Sequence, residues 1–462
     1  MKVVVCLRQG LDGELNPFDA CAYEAALCLP DAEVTLLSMG PAGVRDLLLR
    51  LTRLGAKRAI LLSDPAFAGA DTLATAYTLS LAIEKLKPDL ILCGRQTLIG
   101  DTAQTGPMLS VLVGATPIVN VLGITDVDAS GITCKTRDAD GVRAEFPALL
   151  TVERINVLRM PSIRSRLGEV EVWNAETLGA DPARIGLGGS PTRVIETREN
   201  QSGRRRCRWI DRSQLEAVIL EARERGEERE LLTNPDGQLL SRVLCVGEAP
   251  LAYASAVCAQ PTVIPERDED AILSRILQED PDAVLWGSDA WSKTLSARIA
   301  ARRGWGLCAD CTALSTDGQE LWMIRPALAG SVMARIRSLT RPAMATVRTT
   351  QGESADVLLA IGYGARDAIE PLQAFAERLS ADVVASRKLV DRGLAPYEWQ
   401  VGLTGRSVSP AVYLAVGISG AVHHIVGMQR AGTVIAVNPD RDAPIFDYAD
   451  YGILCRAEAL FE

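Results

Sequence analysis

The sequence lacks several features that would point to particular functions. No apolar run reaches the roughly 18 residues that span a bilayer, which argues against a membrane span. An excess of basic residues is also missing: 49 Lys and Arg stand against 58 Asp and Glu, a net charge of −9. This balance argues against nucleic acid as the main partner, because phosphate binding needs a basic surface. The densest basic cluster, residues 204–208, is typical of a solvated linker.

Cysteine is present, but without a framework of close pairs. The 462 residues contain eleven cysteines and no typical secretion signal, which favours reduced thiols and a cytoplasmic location. One spacing, Cys308-x-x-Cys311, is compatible with a redox pair or with half of a metal site. No second such pair exists and the two histidines are distant in sequence. We therefore expect two small buried residues near a strand end, and no metal site.

Two long stretches of the chain share one pattern. Each has an apolar strand ended by Gly, a helical pattern, a Gly-containing turn and a closing Pro-Ala strand. The matching segments are 87–94 with 280–287, 102–113 with 292–303, and 147–152 with 342–347. The first pair is offset by 193 residues (280 minus 87) and the last by 195 (342 minus 147). An offset held so closely predicts two domains of one fold.

Strands and helices alternate within the first copy and again near the C-terminus. The predicted strands are 2–7, 33–38, 58–62, 90–93, 357–361, 382–385, 412–416 and 433–437, and the predicted helices are 17–29, 42–54, 71–87 and 371–379. Such alternation indicates parallel sheets covered by helices, which bind nucleotides at the carboxyl ends of their strands. The predicted fold class is α/β, with two related parallel-sheet nucleotide-binding-type domains and a C-terminal α/β domain.

Domain boundaries follow from composition. Residues 188–203 are polar and rich in chain-breaking residues, which is typical of a linker. The predicted domains are 1–187, a linker over 188–208, 209–352, and 353–462.

The chemistry of the chain is concentrated in the last of these domains. Both histidines follow a Gly-Ile-Ser-Gly-Ala turn, residues 417–421, between an apolar strand and a helix. This geometry aims backbone N–H groups at an anion and suits a pyrophosphate, although its spacing is neither GxGxxG nor a P-loop. Two further segments, Ser386-Arg387 and the Gly-rich turn 400–406, are individually ordinary. Together the three favour a nucleotide or flavin pocket.

These segments resemble the FAD domain of the electron-transfer flavoprotein α subunit. Its pattern is Ser-Arg, Gln-Val-Gly-Gln-Thr-Gly, Gly-Ile-Ser-Gly-Ala-x-x-His, Asn, and Ala-Asp-Tyr-Gly. Here it reads as Ser386-Arg387, 400–405, 417–424, Asn438 and 449–452. Residues 309–314 with 325–327 are similar to the other α-subunit domain, and the first 170 or so residues to the β subunit. The resemblance thus implies a β-then-α fusion with a C-terminal FAD-binding domain over 353–462.

The resemblance also implies roles at the FAD. Ser419 to Ala421 would hold the pyrophosphate, and Thr404 would lie near flavin N5. Arg387 would lie over the ring, and Asn438 would reach the adenosine side. His424 would face flavin O2, where a donor or partial positive charge favours the reduced state. The expected FAD contacts are Ser386, Arg387, Gln400, Val401, Gly402, Leu403, Thr404, Gly405, Ser419, Gly420, Ala421, Val422, His423, His424 and Asn438.

A second nucleotide is implied in the β-like domain. It is AMP in most family members and a second FAD in the electron-bifurcating branch. The residues expected to bind it are Asn16, Met39, Gly94, Gln96, Asp101, Thr102, Gln104 and Thr105. The Gly-Asp-Thr-Ala-Gln run at 100–104 is closer to the bifurcating branch, so AMP and FAD both stay open.

The implied function is that of a redox carrier rather than an enzyme with its own substrate. FAD would take electrons from a flavin-dependent dehydrogenase, such as an acyl-CoA dehydrogenase of fatty acid oxidation. It would pass them to a quinone-linked or other oxidoreductase. The alternatives are an NADH-dependent bifurcating flavoprotein with two FAD, and a redox-inactive nucleotide-binding protein of the same fold.

The chain departs from the family pattern at several positions. Tyr363 stands where the family usually has Arg, Leu403 and His423 where it has Gln, and Arg456 where it has Asp. The segment 156–161, at the family's partner-recognition loop, is shorter by a few residues. We therefore expect an altered flavin potential and a dedicated partner instead of many dehydrogenases.

Overall fold

The computed structural model describes residues 1–10, 13–56, 58–97, 99–100, 102–154, 156–199, 204–225, 238–328, 332–348, 357–402, 405, 408, 410–429 and 431–460. The described residues fall into two compact units. The first draws on the ranges Met1–Glu196, Leu232–Leu328 and Ala334–Val347, and the second on Thr197–Leu231, Ala329–Met333 and Arg348–Glu462. No helix in the described ranges is long and apolar enough to cross a bilayer.

The elements are numbered in chain order. The strands are β1 Lys2–Leu7, β2 Glu33–Met39, β3 Arg58–Leu62, β4 Leu90–Gly94, β5 Thr116–Val127, β6 Gly131–Thr136, β7 Val142–Glu145, β8 Ala148–Val152, β9 Glu169–Trp173, β10 Thr192–Glu199, β11 Arg208–Trp209, β12 Val243–Val246, β13 Thr262–Ile264, β14 Ala283–Trp286, β15 Leu307–Cys311, β16 Ala313–Thr316, β17 Leu321–Ala327, β18 Val332–Ser338, β19 Ala343–Val347, β20 Val357–Ile361, β21 Asp382–Ser386, β22 Gln400–Val401, β23 Val412–Val416, β24 Thr433–Val437 and β25 Tyr451–Ile453. The helices are α1 Pro17–Leu27, α2 Val44–Thr52, α3 Thr72–Leu86, α4 Thr105–Leu112, α5 Ala175–Leu178, α6 Leu215–Arg225, α7 Leu251–Val257, α8 Glu269–Glu279, α9 Ala290–Arg303, α10 Ile369–Arg378, α11 Arg387–Asp391 and α12 Val422–Met428.

The largest sheet of the first unit has the strand order β7-β6-β5-β8-β4-β1-β2-β3-β9. From β5 to β9 every neighbouring pair is parallel, and β6 and β7 extend the sheet as antiparallel strands. The central strands are buried on both faces, as continuous apolar runs such as Val3-Val4-Val5 require. The strands β2 and β3 follow on one side of β1, whereas β4 lies on its other side. The topological switch point is therefore between β1 and β4.

The repeat seen in the sequence is present in the structure. A second sheet, with the order β13-β12-β14-β19-β15, is parallel throughout. Its β14, α9 and β19 correspond to β4, α4 and β8 of the first copy. The two equivalent helices lie in contact, and Arg298 Nη1 donates to Ser110 Oγ at 3.3 Å. The strands β10, β18, β17 and β16 form a separate four-stranded sheet.

The second unit is built on a seven-stranded sheet with the order β11-β25-β24-β23-β20-β21-β22. All of its neighbouring strands are parallel. The switch point of this sheet lies between β20 and β23, because β20 is followed by β21 on one side and β23 by β24 on the other.

The segment 208–225, which precedes the five-stranded sheet in sequence, packs on this seven-stranded sheet. Strand β11 pairs with β25, and α6 buries Leu215, Ile219 and Ala222 in the same core as β20 and β23. The sequence assigned residues 209–225 to the preceding domain instead. The regular apolar positions of α6 explain the difference, since they need a sheet to cover them. Within the basic cluster Arg205 is largely buried and forms an ion pair with Asp450. The expectation of a solvated linker is therefore wrong for this side chain.

The predicted α/β class is confirmed. The strands β1, β3, β20, β23 and β24 begin and end at the predicted residues. The strands β5–β7, β9–β13, β16–β18, β22 and β25 were not predicted, and β10 lies inside the predicted linker.

Candidate functional site

The residues expected to bind FAD lie at one edge of the seven-stranded sheet. Parallel strands end at the same edge, and the chain leaves β21, β22, β23 and β24 there. This is the edge at which open α/β sheets bind nucleotides.

The turn between β23 and α12 has room only for glycine at two positions. Gly420 has φ +89°, and a Cβ there would lie 2.1 Å from the backbone nitrogen of Ile445. A Cβ on Gly417, at φ +67°, would lie 2.4 Å from the backbone nitrogen of Ala365. Ile445 N also donates to Ser419 O at 3.2 Å. The turn is therefore held from both sides, while Ser419, Ala421 and Val422 are exposed and accessible to a ligand.

The Gly-rich turn after β22 packs against the start of α12. A Cβ on Gly402, at φ +140°, would lie 2.7 Å from His423 O. The backbone of Gly405 donates to Gly402 O at 3.1 Å. Gln400 and Val401 are buried and pair with β21. The structure therefore brings two of the predicted segments into contact. The predicted contacts Leu403 and Thr404 lie outside the described residues.

His424 is buried and uncharged near neutral pH. Its Nε2 lies 2.9 Å from the hydroxyl of Tyr413. Burial lowers the pKa of His424 to about 4, and the Val401 backbone opposes this shift only in part. Burial also lowers the pKa of His423. The His424 imidazole therefore offers a hydrogen bond, whereas the partial positive charge that was the other possibility is disfavoured.

Several polar atoms at this edge are suited to a polar ligand. Ser386 Oγ, His423 Nε2 and His424 Nδ1 are buried and have no hydrogen-bond partner among the described residues. Buried polar atoms in native proteins nearly always have partners. These atoms, the exposed Ser-Gly turn and the tight backbone at Gly420 together fit a dinucleotide cofactor such as FAD.

Two residues that were predicted to contact FAD, Asn438 and Arg387, interact with other residues of the protein. Asn438 donates from Nδ2 to Ile418 O at 2.9 Å and accepts from Asp440 N at 2.9 Å, so it fixes the Ser-Gly turn. Arg387 lies 3.4 Å from Asp391. Their predicted contacts with adenosine and the flavin ring stay predictions.

The sequence did not single out a group of cations around Tyr363. Lys388 Nζ lies 4.5 Å from the centre of its ring, with Arg366 at 4.9 Å and Arg392 at 6.0 Å. Positive charge is therefore retained beside the residue that replaces the usual family arginine. The partner of His424, Tyr413, was also missed. Its only signal was a polar aromatic residue in an otherwise aliphatic strand.

A second candidate site lies in the first unit. A cavity of about 450 Å³ opens at the carboxyl ends of β1, β2 and β4. Of the residues predicted to bind the second nucleotide, Met39, Gly94, Gln96, Thr102 and Thr105 line it.

The remaining members of the second predicted set behave differently. Asn16 and Gln104 are buried outside the cavity lining, and Asp101 lies outside the described residues. Asn16 Nδ2 donates to Gln96 O at 3.0 Å and so supports a residue that does line the cavity. Neither amide atom of Gln104 has a partner among the described residues.

Asp19 is a cavity residue that was missing from the predicted contacts. It accepts from Arg8 N at 2.8 Å and from Gly94 N at 3.0 Å, joining the ends of β1 and β4. Burial raises the pKa of its carboxyl to about 7, although hydrogen bonds from Arg8, Asn16 and Gly94 oppose the shift. The sequence signal that could have revealed Asp19 is a single acidic residue in the first turn of a helix whose neighbouring residues are mostly apolar.

Cys308 and Cys311 are both buried in β15, as expected for two small residues near a strand end. Among the described residues no group of three or more His, Cys, Asp or Glu side chains could hold a metal ion.

Comparison with known proteins identifies the family. The profile described as "Electron transfer flavoprotein domain" matches residues 3–178 and 259–369. The chain belongs to the electron transfer flavoprotein family. The profile described as "Electron transfer flavoprotein FAD-binding domain" matches residues 353–429, which include most of the predicted FAD contacts.

Individual relatives resemble both subunits. The electron transfer flavoprotein subunit beta of Clostridium acetobutylicum is 42% identical over 201 residues, covering 41% of this chain and 76% of that protein. The subunit alpha of Thermoanaerobacterium thermosaccharolyticum is 36% identical over 220 residues, covering 38% and 67%. The caffeyl-CoA reductase-Etf complex subunit CarD of Acetobacterium woodii is 37% identical over 209 residues, covering 42% and 79%. The predicted fusion of β-like and α-like parts is confirmed.

Proposed function

We propose that this chain carries electrons on one FAD from a flavin-dependent dehydrogenase to a second oxidoreductase. The observation that supports the proposal best is the shared sheet edge, where the Ser-Gly turn, the turn after β22 and buried polar atoms without partners lie together. FAD supplies the redox chemistry when bound.

The protein residues would bind and orient the cofactor. The backbone around Ser419 and Gly420 would take the pyrophosphate, since its turn is fixed by close packing against the backbone of Ile445 and Ala365. His424 would donate a hydrogen bond from Nδ1 to the flavin, because Tyr413 is positioned to donate to Nε2. A donor that stays neutral stabilises added electron density without a permanent charge.

An exposed segment of the β-like part is proposed to dock the dehydrogenase. Val157, Met160 and Ile163 are 90%, 88% and 100% exposed. Arg159 anchors the segment, with Nη2 lying 2.8 Å from Glu24 Oε1. A group of exposed apolar side chains on one short segment is what a protein interaction site needs. The segment is short, and we propose one dedicated, cytoplasmic partner; rapid reduction by ordinary acyl-CoA dehydrogenases would contradict this.

The cavity in the first unit favours a second nucleotide. AMP would make the chain a simple carrier, whereas a second FAD would support NADH-dependent bifurcation. The unpartnered amide of Gln104 and the lining residues Met39 and Gly94 suit either ligand.

The deciding experiment is to purify the full chain, release the bound nucleotides and count them. One FAD with one AMP would support the carrier, and two FAD would favour bifurcation, with NADH as the reductant to try. Absence of flavin after incubation with FAD would overturn the proposal and leave a redox-inactive nucleotide-binding protein.

A further inference from the structure

The Cys308 and Cys311 thiols lie on the same side of β15. In a regular strand, residues three apart lie on opposite faces. Here the pairing with β19 shifts register between the two cysteines, and Asp310 has φ +52°. Both side chains therefore enter one core cluster, and the Cys311 thiol donates a hydrogen bond to the backbone carbonyl of Cys308 at 3.8 Å.

The first copy of the repeat contains the same irregularity without thiols. There β5 shifts register against β8 between Ile118 and Val121, and Asn120 has φ +56°. Asn120 N donates to Thr151 Oγ1 at 3.0 Å, as Asp310 N donates to Thr346 Oγ1 at 2.8 Å. The fold therefore needs only two buried apolar side chains at these places, so the two thiols are not required by the backbone.

The second copy places one of its thiols at the cavity. Cys308 lines the cavity, and so does Arg325, a buried arginine. The neighbouring Cys311 thiol and the charge of Arg325 lower the pKa of Cys308, whereas burial raises the pKa of Cys311. The pair therefore has one thiol suited to attack and one that stays protonated behind it.

We propose that Cys308 and Cys311 form a reversible dithiol–disulfide site in the cavity wall, oxidised by low-molecular-weight disulfides. The Cys308 thiolate attacks one sulfur of the small disulfide, whose S–S bond breaks and releases one thiol. Cys311 then loses its proton and attacks Cys308 Sγ, which releases the second thiol. The two protein thiols lose two electrons, and the small disulfide is reduced to two thiols.

The test uses the full-length reduced protein and 2-hydroxyethyl disulfide, a small neutral probe. Trypsin cuts after Arg303 and Arg335 but not between Arg325 and Pro326, so one peptide, 304–335, carries Cys308 and Cys311 as its only cysteines. We expect this peptide to lose the mass of two hydrogens and to regain it with dithiothreitol. Cys245 and Cys258, a buried pair in the same core, should stay reduced.

Single variants test the assigned roles. Cys311→Val should stop at a mixed disulfide on Cys308, and Cys308→Val should leave Cys311 unmodified. Ile118 and Val121 show that the fold accepts aliphatic side chains at both places. The proposal is overturned if peptide 304–335 stays reduced while the unfolded chain oxidises. It is also overturned if Cys6 or Cys93, which share the cavity, react in its place.

Discussion

The hydroxyl of Tyr413 lies 2.9 Å from Nε2 of His424, and both side chains are buried. A phenol that donates to Nε2 fixes the imidazole proton on Nδ1. The orientation and tautomer of the proposed flavin donor therefore depend on a residue that need not touch the flavin.

Removal of this hydroxyl is the first prediction. Tyr413→Phe leaves Nε2 without a partner, which costs about 1–3 kcal/mol of folding stability. We expect the His424 tautomer to change in nitrogen-detected NMR of the flavin-free protein, and the midpoint potential of the FAD to shift. An unchanged tautomer would contradict the assignment.

A matched variant separates this effect from general destabilisation. Tyr23 is also buried, and its hydroxyl donates to Leu51 O at 2.9 Å and accepts from Ala56 N at 3.1 Å. Tyr23→Phe should cost comparable stability and leave the FAD potential where it was.

The second prediction concerns pH. The folded pKa of His424, about 4, lies below its ordinary value of 6.5. Its contribution to stability is therefore complete above pH 6.5 and is lost as the pH falls to about 4. Relative to His424→Gln, the protein should lose up to roughly 3 kcal/mol over this interval. The chain has only two histidines, so NMR resolves them readily, and titration of His424 near 6.5 would refute the prediction.

The fold could be predicted where local signals were strong. The strands β1 and β23 are apolar runs that are followed by Arg8 and Gly417, and their limits were predicted correctly. The strands β5 to β7 contain Thr, Asp and Lys among their apolar residues, so a regular alternation of apolar and polar residues is missing although each strand pairs with its neighbour in sequence. No local pattern defines such strands.

The same distinction holds for the sites. The Ser-Gly turn was found because its residues are contiguous in sequence. Asp19 was missed because it acts on Gly94, which is 75 residues away. The Tyr413–His424 bond spans only 11 residues, but the strand pattern alone does not reveal which side chain a buried tyrosine meets.

The third prediction tests the tight turn at the proposed pyrophosphate site. Gly420→Ala places a Cβ 2.1 Å from Ile445 N, so the turn must move. We expect FAD affinity, measured by fluorescence titration, to fall by about tenfold or more, the equivalent of about 1.4 kcal/mol.

Another glycine provides the control for backbone strain. Gly393 also has positive φ, +71°, but a Cβ there meets nothing within 4 Å. Gly393→Ala should cost roughly 1–2 kcal/mol of stability through its left-handed backbone and leave FAD affinity unchanged. Equal losses of affinity in both variants would show that strain, not the shape of the turn, is responsible.

The last prediction concerns Asp19, which joins the strand ends beneath the second cavity. Its pKa is raised from 3.8 to about 7, so its contribution to stability is fully present below pH 3.8 and declines as the pH rises to about 7. Asp19→Asn does not titrate, although at every pH it has only one of the two side-chain oxygens that accept hydrogen bonds in the wild type. In chemical denaturation the wild type should therefore lose up to roughly 4 kcal/mol relative to the variant between pH 4 and pH 7.

Asp128 gives the control of opposite sign. Hydrogen bonds, chiefly from the Ser130 hydroxyl, hold the pKa of this exposed carboxyl well below its ordinary value. Its contribution to stability is thus present above its ordinary pKa and lost in acid. The difference in unfolding free energy between the wild type and Asp128→Asn should therefore become smaller as the pH falls. If the stability difference between the wild type and Asp19→Asn also became smaller as the pH falls, the folded protein would stabilise the ionised form of the Asp19 carboxyl. The desolvation argument for that site would then be wrong.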